Sequence, residues 1–89
     1  MATIDVETLN QVIGGARMSE TARQAVRGYY TSHFPGTGPI HIQTVSALPA
    51  SAKPGEATAW KYWASQGSYV NTGTVDVLGD VMPQTRSYA

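Results

Sequence analysis

Apolar residues recur at helical spacing near the start of the chain. In DVETLNQVI, residues 5–13, Val6, Leu9, Val12 and Ile13 form one stripe, and the stretch predicts a short helix. Asp5 stands at the N-cap position, and Glu7 lies in the first turn, where the helix dipole favours negative charge. Ile4 before the cap and Leu9 at the fourth helical position suit a hydrophobic staple. Gly14 and Gly15 end the element, because glycine readily adopts the left-handed conformation of a helix end. A second helical pattern covers residues 19–34, SETARQAVRGYYTSHF. Ala22, Ala25, Val26, Tyr29, Tyr30 and Phe34 fall near one face, and Arg23 and Arg27 on another. Ser19 is positioned to cap this helix, and Pro35 and Gly36 end it. Gly28 costs about 1 kcal/mol relative to alanine in a helix interior, a cost that close packing against a neighbour would offset.

The pattern changes after residue 38. PIHIQTV, residues 39–45, alternates and is rich in β-branched residues, which predicts a strand. SALPASAKPGE, residues 46–56, holds two prolines among small polar residues and reads as a loop or extended arm. TAWKYWA, residues 58–64, alternates as a strand does, although GEATAWKYWASQG also fits a helix of two to three turns. The strand is preferred because SQGS then forms a hairpin turn into a strand over 69–78. Gly73 marks a bulge or break in that strand. Residues 82–89 read as an exposed tail. The expected fold is one α+β domain over residues 1–89: two N-terminal helices, then a small antiparallel sheet or hairpin with extended segments.

Composition narrows the picture. The chain has 89 residues and no cysteine, so neither a disulfide nor a thiolate-bound metal supports its thin core. Small chains without such staples often gain stability from a partner or an oligomer. Six basic residues balance six acidic ones, which leaves no long-range field to collect nucleic acid or anionic lipid. Charged residues make up 13%, about half the usual quarter. Such a surface is weakly defended against association by charge repulsion. No apolar run reaches the roughly 20 residues of a membrane span. MATIDVETLN has neither a basic nor an apolar signal region, so no Sec-type signal peptide is expected.

The double glycine admits another reading. Counted back from Gly15, Val12, Leu9 and Ile4 occupy the fourth, seventh and twelfth places. Residues 4–15 thereby resemble the double-glycine leader of bacteriocin- and microcin-type exported peptides. In that family an amphipathic leader docks in an exporter's peptidase domain. The resemblance implies cleavage between Gly15 and Ala16, with Gly14 and Gly15 filling the narrow part of the groove. It departs from the family at Thr8, where an acidic residue is frequent, and it covers none of the later chain. The remainder also lacks the Gly-rich apolar character of a membrane-inserting toxin.

Other candidate chemistry is sparse. Two helices joined through GGARMS, with Arg23, Arg27, Tyr29 and Tyr30 outward, would mimic a helix-turn-helix, but the turn is long and the net charge is zero. The commoner role for those arginines is a solvated helix face. His33 and His41 flank FPGTGPI and are positioned to approach one another, yet no carboxylate stands at ligand spacing from either. Ser32 and His33 are adjacent, which does not bring their side chains together on a helix. Asp76 and Asp80 lie four apart in a strand–turn region without a partner motif, and GTGP lacks the lysine of a phosphate-binding loop. No catalytic residue, metal or cofactor is implied.

The aromatic cluster Trp60, Tyr62, Trp63 and Tyr69 is the strongest candidate for partner binding. On a strand, Trp60 and Tyr62 share one face and Trp63 takes the other. Packing of all four in a small core is the plain reading; a protein interface and a sugar-stacking platform are the functional ones. Taken together, the sequence predicts a non-enzymatic structural or assembly protein. The preferred form is a small phage virion component (decoration, connector or tail-associated) that binds other protein subunits. The alternative is a leader-bearing precursor of a secreted antimicrobial or signalling peptide, cleaved after Gly15.

Overall fold

The computed structural model describes residues 17–53 and 55–88. One helix, α1 (Glu20–His33), precedes four strands: β1 (Ile40–Leu48), β2 (Ala59–Gln66), β3 (Tyr69–Asp76) and β4 (Val81–Tyr88). The strands pair antiparallel in chain order, β1-β2-β3-β4. This corrects the expected architecture of two helices followed by a small sheet or hairpin. Among the described residues there is one helix, and the sheet has four strands. The helix expected over 5–13 lies outside the described residues, as do Gly14, Gly15 and Ala16. The exposed tail expected over 82–89 is instead strand β4, and the loop expected from residue 46 starts later, because β1 continues to Leu48.

Local chemistry explains each element. Ser19 caps α1, its hydroxyl accepting from the Ala22 N–H at 3.2 Å. Ala22, Val26 and Tyr30 form the buried face of the helix. Gly28 is exposed, and a Cβ there would meet open space, so its role is not close packing. β2 and β3 turn through Gly67 and Ser68, with Gly67 at φ 59°, the positive value the first central position of a type II′ hairpin requires. A Cβ on Gly67 would also lie 2.5 Å from the Thr37 carbonyl oxygen, which closes that position to other residues. At the β3–β4 turn, Asp76 Oδ1 accepts from the Leu78 and Asp80 N–H groups at 2.9 and 3.0 Å. The Asp76–Asp80 spacing therefore belongs to a turn.

The core lies between α1 and one face of the sheet. Ile40, Ile42 and Ala47 of β1, Trp60, Tyr62 and Ala64 of β2, and Val75 of β3 meet Ala22, Val26 and Tyr30. A bulge between Thr44 and Ser46 keeps Ala47 on the inner face despite the odd spacing from Ile42. A second register shift, between Thr72 and Gly73, leaves Gln84 as the extra residue on β4.

Both sheet edges are defended against strand addition. Arg23 Nη1 donates to the Ile42 carbonyl at 2.9 Å, and Arg27 Nη1 donates to the Ile40 carbonyl at 3.3 Å. These two arginines cap the outer edge of β1, in place of the solvated or DNA-facing surface considered from sequence. Partial burial, with Arg17 nearby, lowers the pKa of Arg23 from its ordinary value. At the other edge β4 carries Pro83 and the Gln84 bulge, two devices that disfavour pairing with another strand.

Candidate interaction surface

The structure divides the four aromatic candidates among three environments. Trp60 and Tyr62 are core residues, 4% and 1% exposed. They pack beneath α1, which removes them from any contact surface. Trp63 alternates to the opposite face and is half-buried there. Tyr69 begins β3, where its ring meets Tyr88 edge-on at 5.3 Å.

No described element covers the face that carries Trp63. Directly across the strands, Trp63 is flanked by Gln43 on β1 and Thr72 on β3, and Thr72 is followed by Thr85 on β4. The Thr72 and Thr85 hydroxyls are hydrogen-bonded at 2.5 Å. Alternation adds His41, Lys61, Ser65, Val70 and Thr74 to the same side. The face is therefore largely uncharged, with one large aromatic near its centre. Eight residues by four strands give it about 500 Å² in plan. That is smaller than the roughly 800 Å² each partner contributes to a standard protein–protein interface. At its margins Val45, in the β1 bulge, and Met82, on β4, expose more than half of their surface.

The inner side carries a polar network that sequence reasoning missed. Gln66 Nε2 donates to the carbonyls of Tyr30 and Phe34 at 3.2 and 3.0 Å, satisfying the C-terminal turn of α1. Asn71 Nδ2 donates to the Ala64 carbonyl at 3.1 Å. Arg86 Nη1 joins the two amides, donating to Gln66 Oε1 at 3.3 Å and Asn71 Oδ1 at 2.8 Å. Its guanidinium lies 3.6 Å from the ring centroid of Phe34 and 4.1 Å from that of Tyr69. Tyr69 is thus a wall for Arg86. The readable signal was a lone arginine at alternating spacing before Tyr88, in a segment whose Pro83 argued against a strand.

The two histidines do not converge. His33, at the end of α1, stacks on Tyr29 at 4.1 Å and its Nδ1 lies 2.8 Å from the Tyr29 carbonyl oxygen. His41 alternates to the outer face of β1, across the sheet from α1. Among the described residues no group of three or more His, Cys, Asp or Glu is arranged to hold a metal. Among them, too, no helix is long and apolar enough to cross a membrane. Comparison with protein-family models, curated proteins and solved structures finds no match.

Proposed function

We propose that this chain is a non-enzymatic structural or assembly protein that packs the sheet face left open by the described elements against further copies of itself. The observation that carries the proposal is the placement of Trp63 on a four-stranded face that no described element covers and that carries a single lysine, Lys61, among mostly neutral residues. Half-buried tryptophans on such surfaces are typical anchors of protein interfaces, because a large rigid ring gains much burial for little lost freedom. The low charge supports the same reading: 13% charged residues and balanced signs give copies little mutual repulsion. With both sheet edges capped or interrupted, face-to-face packing is favoured over edge-to-edge growth.

Within this class, a small phage virion component, such as a decoration, connector or tail-associated protein, is the form we favour. Cysteine-free, Ala/Gly/Ser/Thr-rich composition supports it. The segment 82–89 lends it no support as an exposed tail, since it is strand β4. Sedimentation of wild type and Trp63→Ser at matched concentrations tests the assembly step. Loss of the larger species with an unchanged melting temperature supports it; a wild-type chain that stays monomeric at every concentration overturns it.

A further inference from the structure

An open pocket of about 140 Å³ lies between α1 and β4, on the side of the sheet away from Trp63. Tyr29, Tyr30 and Phe34 form its helix wall, and Pro83, Gln84, Thr85 and Arg86 its strand wall. A cavity of roughly 150 Å³ is large enough for a benzene-sized molecule. We infer that this pocket binds a carboxylate, with Arg86 as the recognising group.

The donor inventory of Arg86 carries the inference. A guanidinium has five N–H donors. Its two hydrogen bonds to described residues both leave Nη1 and end on neutral amide oxygens. Among the described residues no carboxylate pairs with it. Phe34 and Tyr69 cover the two planar faces. What remains is the edge formed by Nε and Nη2, which presents two parallel N–H groups at the spacing of a carboxylate's oxygens. Gln66 and Asn71 hold the group in register, so its orientation is set before any ligand arrives.

Charge selects the ligand class. One guanidinium neutralises one carboxylate, whereas a phosphate dianion would call for a second cation. Arg23 and Arg27, which share α1 with the pocket's helix wall, are committed to the β1 edge. The aromatic helix wall favours a carboxylate borne on an apolar body. Such a group is supplied by a small free acid or by the C-terminus of a partner chain.

The test is a ¹⁵N NMR titration of the full chain, following backbone amides and the Arg86 Nε–H. The probes are benzoate, benzamide, inorganic phosphate, and N-acetyl-Ala-Phe with a free or an amidated C-terminus. Saturable shifts at Tyr29–Phe34, Gln84–Arg86 and Arg86 Nε–H with benzoate, and none with benzamide, support the site. A stronger response to the free-carboxylate peptide than to benzoate identifies a chain terminus as the source; the reverse identifies a small acid. Arg86→Lys, which keeps charge but lacks the fork, should weaken benzoate binding about tenfold or more. Equal shifts with benzoate and benzamide, a stronger response to phosphate, or a silent Arg86 Nε–H overturns the proposal. The wild-type titration decides this even if the variant does not fold.

Discussion

The hydroxyls of Tyr30 and Tyr62 meet at 2.6 Å in the core, joining α1 to the second strand across 32 residues of sequence. Both side chains are 1% exposed. Each hydroxyl satisfies the other where water does not reach. Removing one therefore strands its partner: Tyr30→Phe or Tyr62→Phe should each cost about 1–3 kcal/mol. The double variant removes both polar groups at once and should cost less than the sum of the two. A double-mutant cycle by urea unfolding measures the difference, and additive losses would mean that the pair is not coupled.

The same pair makes stability sensitive to alkali. Burial, the largest cause for both, raises the pKa of Tyr62 and of Tyr30 from the ordinary value of 10. The folded chain therefore keeps protons that the unfolded chain releases. Stability from this source is fully present below pH about 10 and is lost as pH rises beyond it, by up to about 1.4 kcal/mol per pH unit for each tyrosine. Urea midpoints between pH 8 and 12 should fall above pH 10 in wild type and fall less steeply in Tyr62→Phe. An equal slope in both would remove Tyr62 as the cause.

Gly73 makes room for this arrangement. A Cβ at that position would lie 2.5 Å from both the Tyr62 hydroxyl and the Met82 carbonyl oxygen. Gly73→Ala should therefore destabilise the chain by about 1–3 kcal/mol, the usual cost of overpacking. Because Met82 contributes backbone, combining it with Tyr62→Phe should restore little of the loss. A melting temperature of Gly73→Ala equal to that of wild type would contradict the tight fit.

Gly28 predicts the opposite sign. It is exposed in the middle of α1, with open space where a Cβ would stand. Gly28→Ala should stabilise by about 0.5–1 kcal/mol, through helix propensity and a less flexible unfolded chain. Thermal melts of the two chains check this, and a lower melting temperature would show that the glycine has a contact role.

Much of the helix and of the central hairpin was legible in the sequence, because their signals are local. Ser19 before a run bearing Ala22, Val26 and Tyr30 at spacings of four defines α1, and Gly67 defines the β2–β3 turn. Alternation also separated Trp63 from Trp60 and Tyr62 once the strand reading of 58–64 was chosen. β1 runs past the strand expected over 39–45: the small residues and prolines of 46–56 signal a loop, and the bulge at Val45 breaks the period of two that would signal the strand's last residues. β4 reads as a tail in sequence because Pro83 and the Gln84 bulge erase its alternation, while pairing with β3 makes it a strand. The Gln66–Asn71–Arg86 network escaped for a related reason: its links span 15 and 20 residues and exist only once the strand order is known. The two histidines were drawn together by their closeness in sequence, whereas the sheet separates them.

The most direct test of the assembly account uses Trp63 as its own reporter. Trp60 Nε1 is buried without a hydrogen-bond partner, so phenylalanine is a reasonable replacement there. Trp60→Phe leaves Trp63 as the single tryptophan of a chain that has two. Acrylamide quenching of its fluorescence is then measured across a concentration series, alongside sedimentation. If Trp63 anchors the assembly, quenching falls and emission shifts to the blue as the larger species forms. Trp63 remaining equally quenchable in the monomer and in the assembled form would contradict it.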